Sequence, residues 1–285
     1  MTTHWIDGKQ LAQSVRESLK KRVATLSQKP VLTVLLVGSD AASATYVRLK
    51  ERACEEVGIR CRIERFDADV TQQQLEAVID ACNADPEVSG VILQLPLPAH
   101  LNPTPLTQRI DPQKDVDGFH PENIRALQEH RWSLVSPVAL AVMKLLENIP
   151  ITEGCQATLV MSERFAQPLI SLFLERALPT PRVVDKSNQE LQRIVASSDL
   201  TVVGIGQPHR LTTNWLKPGA VVIDVGTTWK DGVLCGDLHP EAAETAPLSH
   251  ASPVPGGVGP LTVAYLLLNT LKAALYTANT PPSVS

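Results

Sequence analysis

What this chain has little of narrows the reading first. Phe, Trp and Tyr make up only 4% of its 285 residues, and the formal charge at pH 7 is only -4. Without a basic excess there is no electrostatic footprint for nucleic acid or an anionic membrane surface, so a small molecule is the expected partner. The five cysteines, Cys54, Cys61, Cys82, Cys155 and Cys235, are odd in number, scattered, and never spaced Cys-x-x-Cys. That pattern argues against a disulfide framework and a zinc site. Met1 to Asp7 has no basic segment leading into an apolar run, and no later apolar stretch reads as long enough to cross a bilayer. The expectation is a cytoplasmic protein with reduced thiols.

Proline, by contrast, is plentiful at 22 residues. Ser252-Pro253-Val254-Pro255-Gly256-Gly257-Val258-Gly259-Pro260-Leu261-Thr262 combines three prolines, which fix φ and remove donors, with three glycines, which leave the main chain bare. It reads either as a rigid platform for a planar or anionic ligand or as a stiff connector. Pro260 suits the first turn of a helix running from Leu261 to about Tyr276.

The rest alternates strands and helices. Leu11, Val15, Leu19 and Val23 mark an amphipathic helix within Gly8 to Leu26; Val31–Val37 is a continuous apolar run, and Ile59–Phe66 and Gly90–Leu95 are a second and a third extended stretch, all read as buried strands. Helices over Ala41–Val57 and Thr71–Asn83 separate them, the second opened by Thr71 and Gln74 in capping-box spacing. A domain boundary falls at Ser136-Pro137, a strong start for the helix Val138–Leu146. Beyond it come strand Ala157–Met161, helix Pro168–Leu178, strand Arg182–Val184, helix Gln189–Ala196, and strands Leu200–Gly204 and Ala220–Val225. The fold class is therefore α/β in two domains, the second a doubly wound, Rossmann-like nucleotide-binding layer. The last helix packs back on the first domain, giving 1–135 plus 261–285 against 136–260. The tail Thr277 to Ser285 reads as disordered.

Three short pieces could carry chemistry. On a helix, Ser43, Tyr46, Val47 and Lys50 share one face, which offers a flat ring and an amine, although a half-buried Tyr beside a snorkelling Lys is common on ordinary helices. Gln94, in Leu93-Gln94-Leu95-Pro96-Leu97-Pro98, ends a buried strand, where ligands of parallel sheets bind. In Asp115-Val116-Asp117-Gly118 alternation puts both carboxylates on one side of an extended segment. Further donors for a metal are not evident, and Asp117 could instead accept two hydrogen bonds from a guanidine-like edge.

Together with Ile6-Asp7-Gly8-Lys9, Ser43 to Lys50, Lys114 to Pro121, Trp215 to Gly226 and Pro253 to Thr262, these pieces resemble the methylenetetrahydrofolate dehydrogenase/cyclohydrolase family over nearly the whole chain, in order. The resemblance implies a tetrahydrofolate substrate, NADP as the dehydrogenase cofactor, no metal, and a homodimer formed through the second domain. It implies that Tyr46 stacks on the folate, Asp117 pairs with the pterin edge, and Gly256 and Gly257 let main chain approach the ligand. Lys50 handles the proton and is held by Gln94, with Ser43, Leu95 and Pro255 also at the substrate.

One region departs from the family. In place of its Gly-Arg-Ser-x-x-Val-Gly-x-Pro turn this chain has Met161-Ser162-Glu163-Arg164-Phe165-Ala166-Gln167-Pro168, without glycine and with an added acid. The family's His-Ser-x-Thr becomes Asp185-Lys186-Ser187-Asn188, and Thr227-Thr228 follows Val225-Gly226. Either Met161, Ser162, Glu163, Arg164, Lys186 and Thr227 rebuild a dinucleotide site, with Asp185 at the ribose, or the second domain is kept for shape and binds dinucleotide weakly or not at all. Hydrolysis of 5,10-methenyltetrahydrofolate to 10-formyltetrahydrofolate is the firmer expectation. A silent folate-binding or partner-binding paralogue would be expected to lose Lys50 or Gln94 first, and the sequence shows the reverse.

Overall fold

The structure, a computed structural model, describes residues 2–131 and 134–279. In chain order its elements begin with β1 (His4–Trp5), α1 (Gly8–Ala24), β2 (Val31–Val37), α2 (Ala41–Val57), β3 (Arg60–Phe66), α3 (Gln72–Ala84), β4 (Gly90–Leu93), α4 (Pro103–Arg109), α5 (Pro121–Gln128) and α6 (Pro137–Leu146). Then come β5 (Ala157–Val160), α7 (Glu163–Glu175), β6 (Arg182–Val184), α8 (Leu191–Ser197), β7 (Leu200–Val203), β8 (Val221–Asp224), β9 (Thr228–Lys230), β10 (Val233–Cys235), α9 (Pro240–Thr245), β11 (His250–Ala251) and α10 (Val258–Asn279).

Two compact units result, Gln13–Pro137 with Val263–Ser285 and Met1–Ala12 with Val138–Thr262. The first twelve residues thus group with the second unit rather than the first, because β1 pairs in parallel with β11.

The first unit holds a parallel sheet in the order β3-β2-β4. β2, the central strand, is buried along its whole length, as its unbroken apolar run requires. β3 was expected to be equally buried but lies at the sheet edge, where Arg60 and Arg65 are exposed. Asp40 opens α2 by accepting a 2.7 Å hydrogen bond from the Ser43 amide, and Gly58 closes it at φ 83°, a left-handed value that suits glycine. Thr71 and Gln74 do form the capping box of α3.

α10 closes this unit, with Leu266, Leu267 and Leu271 packed in one core with Leu19, Leu32, Val34 and Val47. Its stretch Val258–Tyr276 is long and apolar enough, by length and composition, to cross a membrane, which corrects the sequence expectation that no such stretch exists. Those leucines are buried in the unit's own core, which accounts for the composition. α10 also starts three residues before Leu261 and runs to Asn279, into the tail expected to be disordered; residues 280–285 lie outside the described part.

The second unit is a six-stranded parallel sheet in the order β1-β11-β8-β7-β5-β6, with β9 and β10 as a separate antiparallel pair. From β5 the chain goes out to β6 and then returns to β7 on the other side. The carboxyl ends of β5 and β7 therefore flank the topological switch point of a doubly wound fold.

Candidate active site

The face of α2 that carries Ser43, Tyr46, Val47 and Lys50 turns inward, with Val47 fully buried and Ser43 nearly so. Gln94 leaves the end of β4, its amide nitrogen donating to Leu35 of β2 at 2.9 Å, and its side chain is buried. Lys50 Nζ donates to Gln94 Oε1 at 2.6 Å, while Gln94 Nε2 donates to the Leu95 carbonyl at 2.7 Å. The second bond fixes the amide's orientation and keeps its oxygen toward the lysine. Burial pushes the Lys50 ammonium below the usual lysine range, and the Asp117 carboxylate pulls it part of the way back. The Ser43 hydroxyl and the Tyr46 phenol are buried and have no hydrogen-bond partner.

The Lys114–Gly118 segment divides its labour. Lys114 Nζ donates to the carbonyls of Cys82, Asn83 and Asp85 at 2.7–2.9 Å, capping the carboxyl end of α3. Asp115 accepts from the amides of Gly118 and His120 and from Asn123 Nδ2. It is therefore a structural brace, and the two carboxylates do not act as a pair. Val116 packs so closely on Gly90 that a Cβ there would lie 2.3 Å from it. Asp117 is left half-buried, and its charge reaches Lys50. Gly118 turns the chain at φ 69°.

The Pro255–Gly257 stretch belongs to the second unit, and it is less bare than expected. A Cβ on Gly257 would lie 2.7 Å from the Pro253 carbonyl oxygen and 2.8 Å from Ser252 Cβ, so the chain's own packing uses that space. A Cβ on Gly8 would come 1.9 Å from the Gly257 carbonyl oxygen, which explains Gly8 as well. Gly256 has φ 121°, and Pro255 is exposed. The Leu95–Pro96 and Val254–Pro255 peptide bonds are both cis.

Parallel pairing puts the remaining expected residues at one sheet edge, with Met161 to Arg164 after β5, Lys186 after β6 and Thr227 after β8. The long loop expected after β5 is absent. α7 begins at Glu163, so Glu163 and Arg164 form its first turn and Pro168 lies inside the helix, not at its start. Met161 is buried, and Ser162 caps α7 without a side-chain hydrogen bond. Glu163 brings to this helix N-terminus the negative charge that a phosphate would otherwise bring. Beyond β7, the amides of Ile205, Gly206 and Gln207 are all taken by the buried Asp237 carboxylate at 2.6–3.3 Å. Asp185 is exposed and bonded to its neighbour Ser187. Among the described residues, no group of three or more His, Cys, Asp or Glu could hold a metal ion.

Two family models match in tandem: tetrahydrofolate dehydrogenase/cyclohydrolase, catalytic domain, over residues 6–117, and the NAD(P)-binding domain of the same family over residues 136–278. The chain belongs to the tetrahydrofolate dehydrogenase/cyclohydrolase family. Among solved structures, the bifunctional methylenetetrahydrofolate dehydrogenase/cyclohydrolase of Campylobacter jejuni is 36% identical with a TM-score of 0.89, covering 96% of this chain and 99% of that one. The Trypanosoma brucei dehydrogenase-cyclohydrolase, solved with NADP and an inhibitor, is 33% identical over 98% and 100% of the two chains, with a TM-score of 0.91. The 5,10-methylenetetrahydrofolate dehydrogenase of the silkworm Bombyx mori is also 33% identical, over 98% and 100%, with a TM-score of 0.88.

Membership in the tetrahydrofolate dehydrogenase/cyclohydrolase family implies a dinucleotide, and the residues at the switch point do not fit one held by close backbone approach. Every residue from Met161 to Pro168 carries a Cβ, an acid stands at the helix N-terminus, and the amides after β7 are already used. Sequence reasoning missed the brace at Asp115 and a buried amide, Asn269, whose only signal is one asparagine in an apolar helix.

Proposed function

We propose that this chain hydrolyses 5,10-methenyltetrahydrofolate to 10-formyltetrahydrofolate, with Lys50 as the proton-transfer group. The observation that carries this reading is the Lys50–Gln94 hydrogen bond, beside a charge at Asp117 and within a family of tetrahydrofolate enzymes. The methenyl carbon lies between two nitrogens that share a positive charge, so it is already electrophilic and needs no metal. Water attacks this carbon and gives a proton to the deprotonated form of Lys50, which burial favours, while the hydrogen bond to Gln94 holds the amine in place. The tetrahedral adduct then breaks its bond to N5, which takes the proton back from Lys50; the adduct's hydroxyl gives its own proton to the freed Lys50 amine and on to water as its oxygen becomes the formyl carbonyl on N10, so one proton is released overall.

Asp117 supplies two acceptor oxygens to the donor-donor edge of the pterin, and Tyr46 offers a ring for stacking. Ser43 and Tyr46 hold the buried hydroxyls that a bound ligand would satisfy. Leu95 and the Pro255–Gly257 stretch belong to the same proposal as substrate contacts. So do a homodimeric state and a cytoplasmic setting; the five free cysteines agree with a reducing compartment.

The experiment is direct. The purified chain is mixed with 5,10-methenyltetrahydrofolate, decay of its absorbance is compared with the uncatalysed rate, and the product is identified. No acceleration would overturn the reading.

A second observation concerns the other half-reaction. The glycine-free, acidic turn before α7 favours weak or absent dinucleotide binding, so oxidation of 5,10-methylenetetrahydrofolate is reduced or lost. The alternative is that Arg164, Lys186 and Asp185 rebuild the site for NADP or NAD. Calorimetry with each dinucleotide separates the two.

A further inference from the structure

Asn269 lies within the run Tyr265-Leu266-Leu267-Leu268-Asn269-Thr270-Leu271 of α10 and is 0% exposed. Its Nδ2 donates to the carbonyl of Val116 at 2.9 Å and to the carbonyl of Val135 at 2.8 Å. Val116 immediately precedes Asp117. Val135 belongs to the segment against which Gly118 packs, since a Cβ on Gly118 would lie 2.6 Å from the Val135 carbonyl carbon and 2.5 Å from the Ser136 nitrogen. One amide therefore ties two backbone segments together beside Asp117. Asp115 holds the far side through the Gly118 and His120 amides.

The same asparagine leaves its Oδ1 buried without a partner. An unmet buried acceptor is costly, and leucine would suit this run without that cost. What Asn269 contributes must then lie in its two donors, one of which holds Val116 next to Asp117 and the other Val135, in the segment against which Gly118 packs.

We propose that Asn269 is a positioning residue for substrate recognition, fixing through Val116 and Val135 the direction in which the Asp117 carboxylate meets the pterin edge. The inference rests on the assignment of Asp117 to the pterin. A two-oxygen contact is sensitive to aim, because a small rotation breaks one of its hydrogen bonds and leaves a charge poorly matched. Lys50 and Gln94 are held by α2 and β4, so the pair keeps its place when the Asp117 loop is displaced, and only the pull of the Asp117 charge on Lys50 weakens.

Steady-state hydrolysis by the full chain tests this. Asn269→Ala is expected to raise KM about tenfold or more while kcat stays within about twofold, with any move of its pH profile downward as the Asp117 charge draws away from Lys50. Thr270→Val is the control for stability alone: the neighbouring buried hydroxyl donates only to Leu266 within the helix, at 2.9 Å. It is expected to change Tm but not KM. Asn269→Gln, which retains both amide donors, is expected to recover part of the lost KM.

If Asn269→Ala lowers Tm and leaves KM unchanged, the residue merely satisfies two carbonyls and the proposal is overturned. An Asn269 series that is insoluble throughout overturns it too, by assigning the residue to folding. Asp117→Asn, measured in parallel, separates this inference from the reading beneath it. A raised KM for Asp117→Asn alone removes the positioning role, and a raised KM for Asn269→Ala alone shows that its effect does not run through Asp117. Unchanged KM in both removes the substrate assignment itself.

Discussion

Lys50 Nζ donates a 2.6 Å hydrogen bond to Oε1 of Gln94, so the amide oxygen of the residue just after β4 fixes an amine carried on α2. That contact leaves the lysine one direction in which to exchange a proton, and it predicts how two substitutions differ. Gln94→Glu sets a carboxylate beside Lys50 and raises its pKa, so the limb of the pH-rate profile that rises as Lys50 loses its proton moves up by about 1–3 units. Gln94→Ala adds no charge; it lowers kcat because the amine is no longer held, with the limb near its original place. Identical limbs for Gln94→Glu and the natural chain would count against the assignment.

Gly118 is predicted to be intolerant of even one methyl group. Its φ of 69° is left-handed, and an added Cβ would meet Ser136 N at 2.5 Å. Gly118→Ala should therefore cost about 2 kcal/mol or more of stability and move the Asp117 loop, so that Tm falls and KM rises together. A variant with unchanged Tm and KM would show that the loop yields easily.

Part of this site was legible in the sequence and part was not. The helix face of Ser43, Tyr46 and Lys50 follows from 3.6-residue periodicity, and Gln94 from its place at the end of a buried run. Both are local patterns, and β2 and α2 came out at the predicted bounds for the same reason. Asp115 could not be told from Asp117 by alternation, because what separates them is which backbone amides each can reach across the turn. Asn269 is 153 residues from the carbonyl of Val116 that it binds, and no local pattern reports such a pairing. The sequence places the start of the helix after β5 at Pro168, whereas α7 begins at Glu163 and holds Pro168 inside it.

In the second unit, acidification is expected to stabilise the fold. Asp224 is buried beside Asp237, and burial first, then that neighbouring charge, push its pKa up to about 7, against hydrogen bonds from the amides of Leu238 and Gly226. A carboxyl with a folded pKa above its unfolded value contributes most stability when protonated and loses it as pH rises through about 7. Tm should thus increase between pH 8 and pH 6, by an amount corresponding to about 1 kcal/mol. Asp224→Asn should flatten that dependence. A Tm that falls over the same interval in the natural chain, and equally in Asp224→Asn, would contradict the claim.

The turn before α7 gives a prediction for calorimetry. NADP and NAD should each produce little or no binding heat with the natural chain, and Glu163→Gln should strengthen whatever binding exists by removing an exposed charge from the helix N-terminus. Tight binding by the natural chain would show that side chains have replaced the glycine-rich approach.

The measurement that bears most directly on the central claim is hydrolysis of 5,10-methenyltetrahydrofolate by the natural chain and by Lys50→Met, corrected for the uncatalysed rate. The methionine keeps most of the apolar stem but cannot carry a proton, so kcat should fall about 10²–10⁴-fold with Tm nearly unchanged. If Lys50→Met hydrolyses the substrate as fast as the natural chain, Lys50 is not the proton-transfer group and the proposed mechanism is wrong.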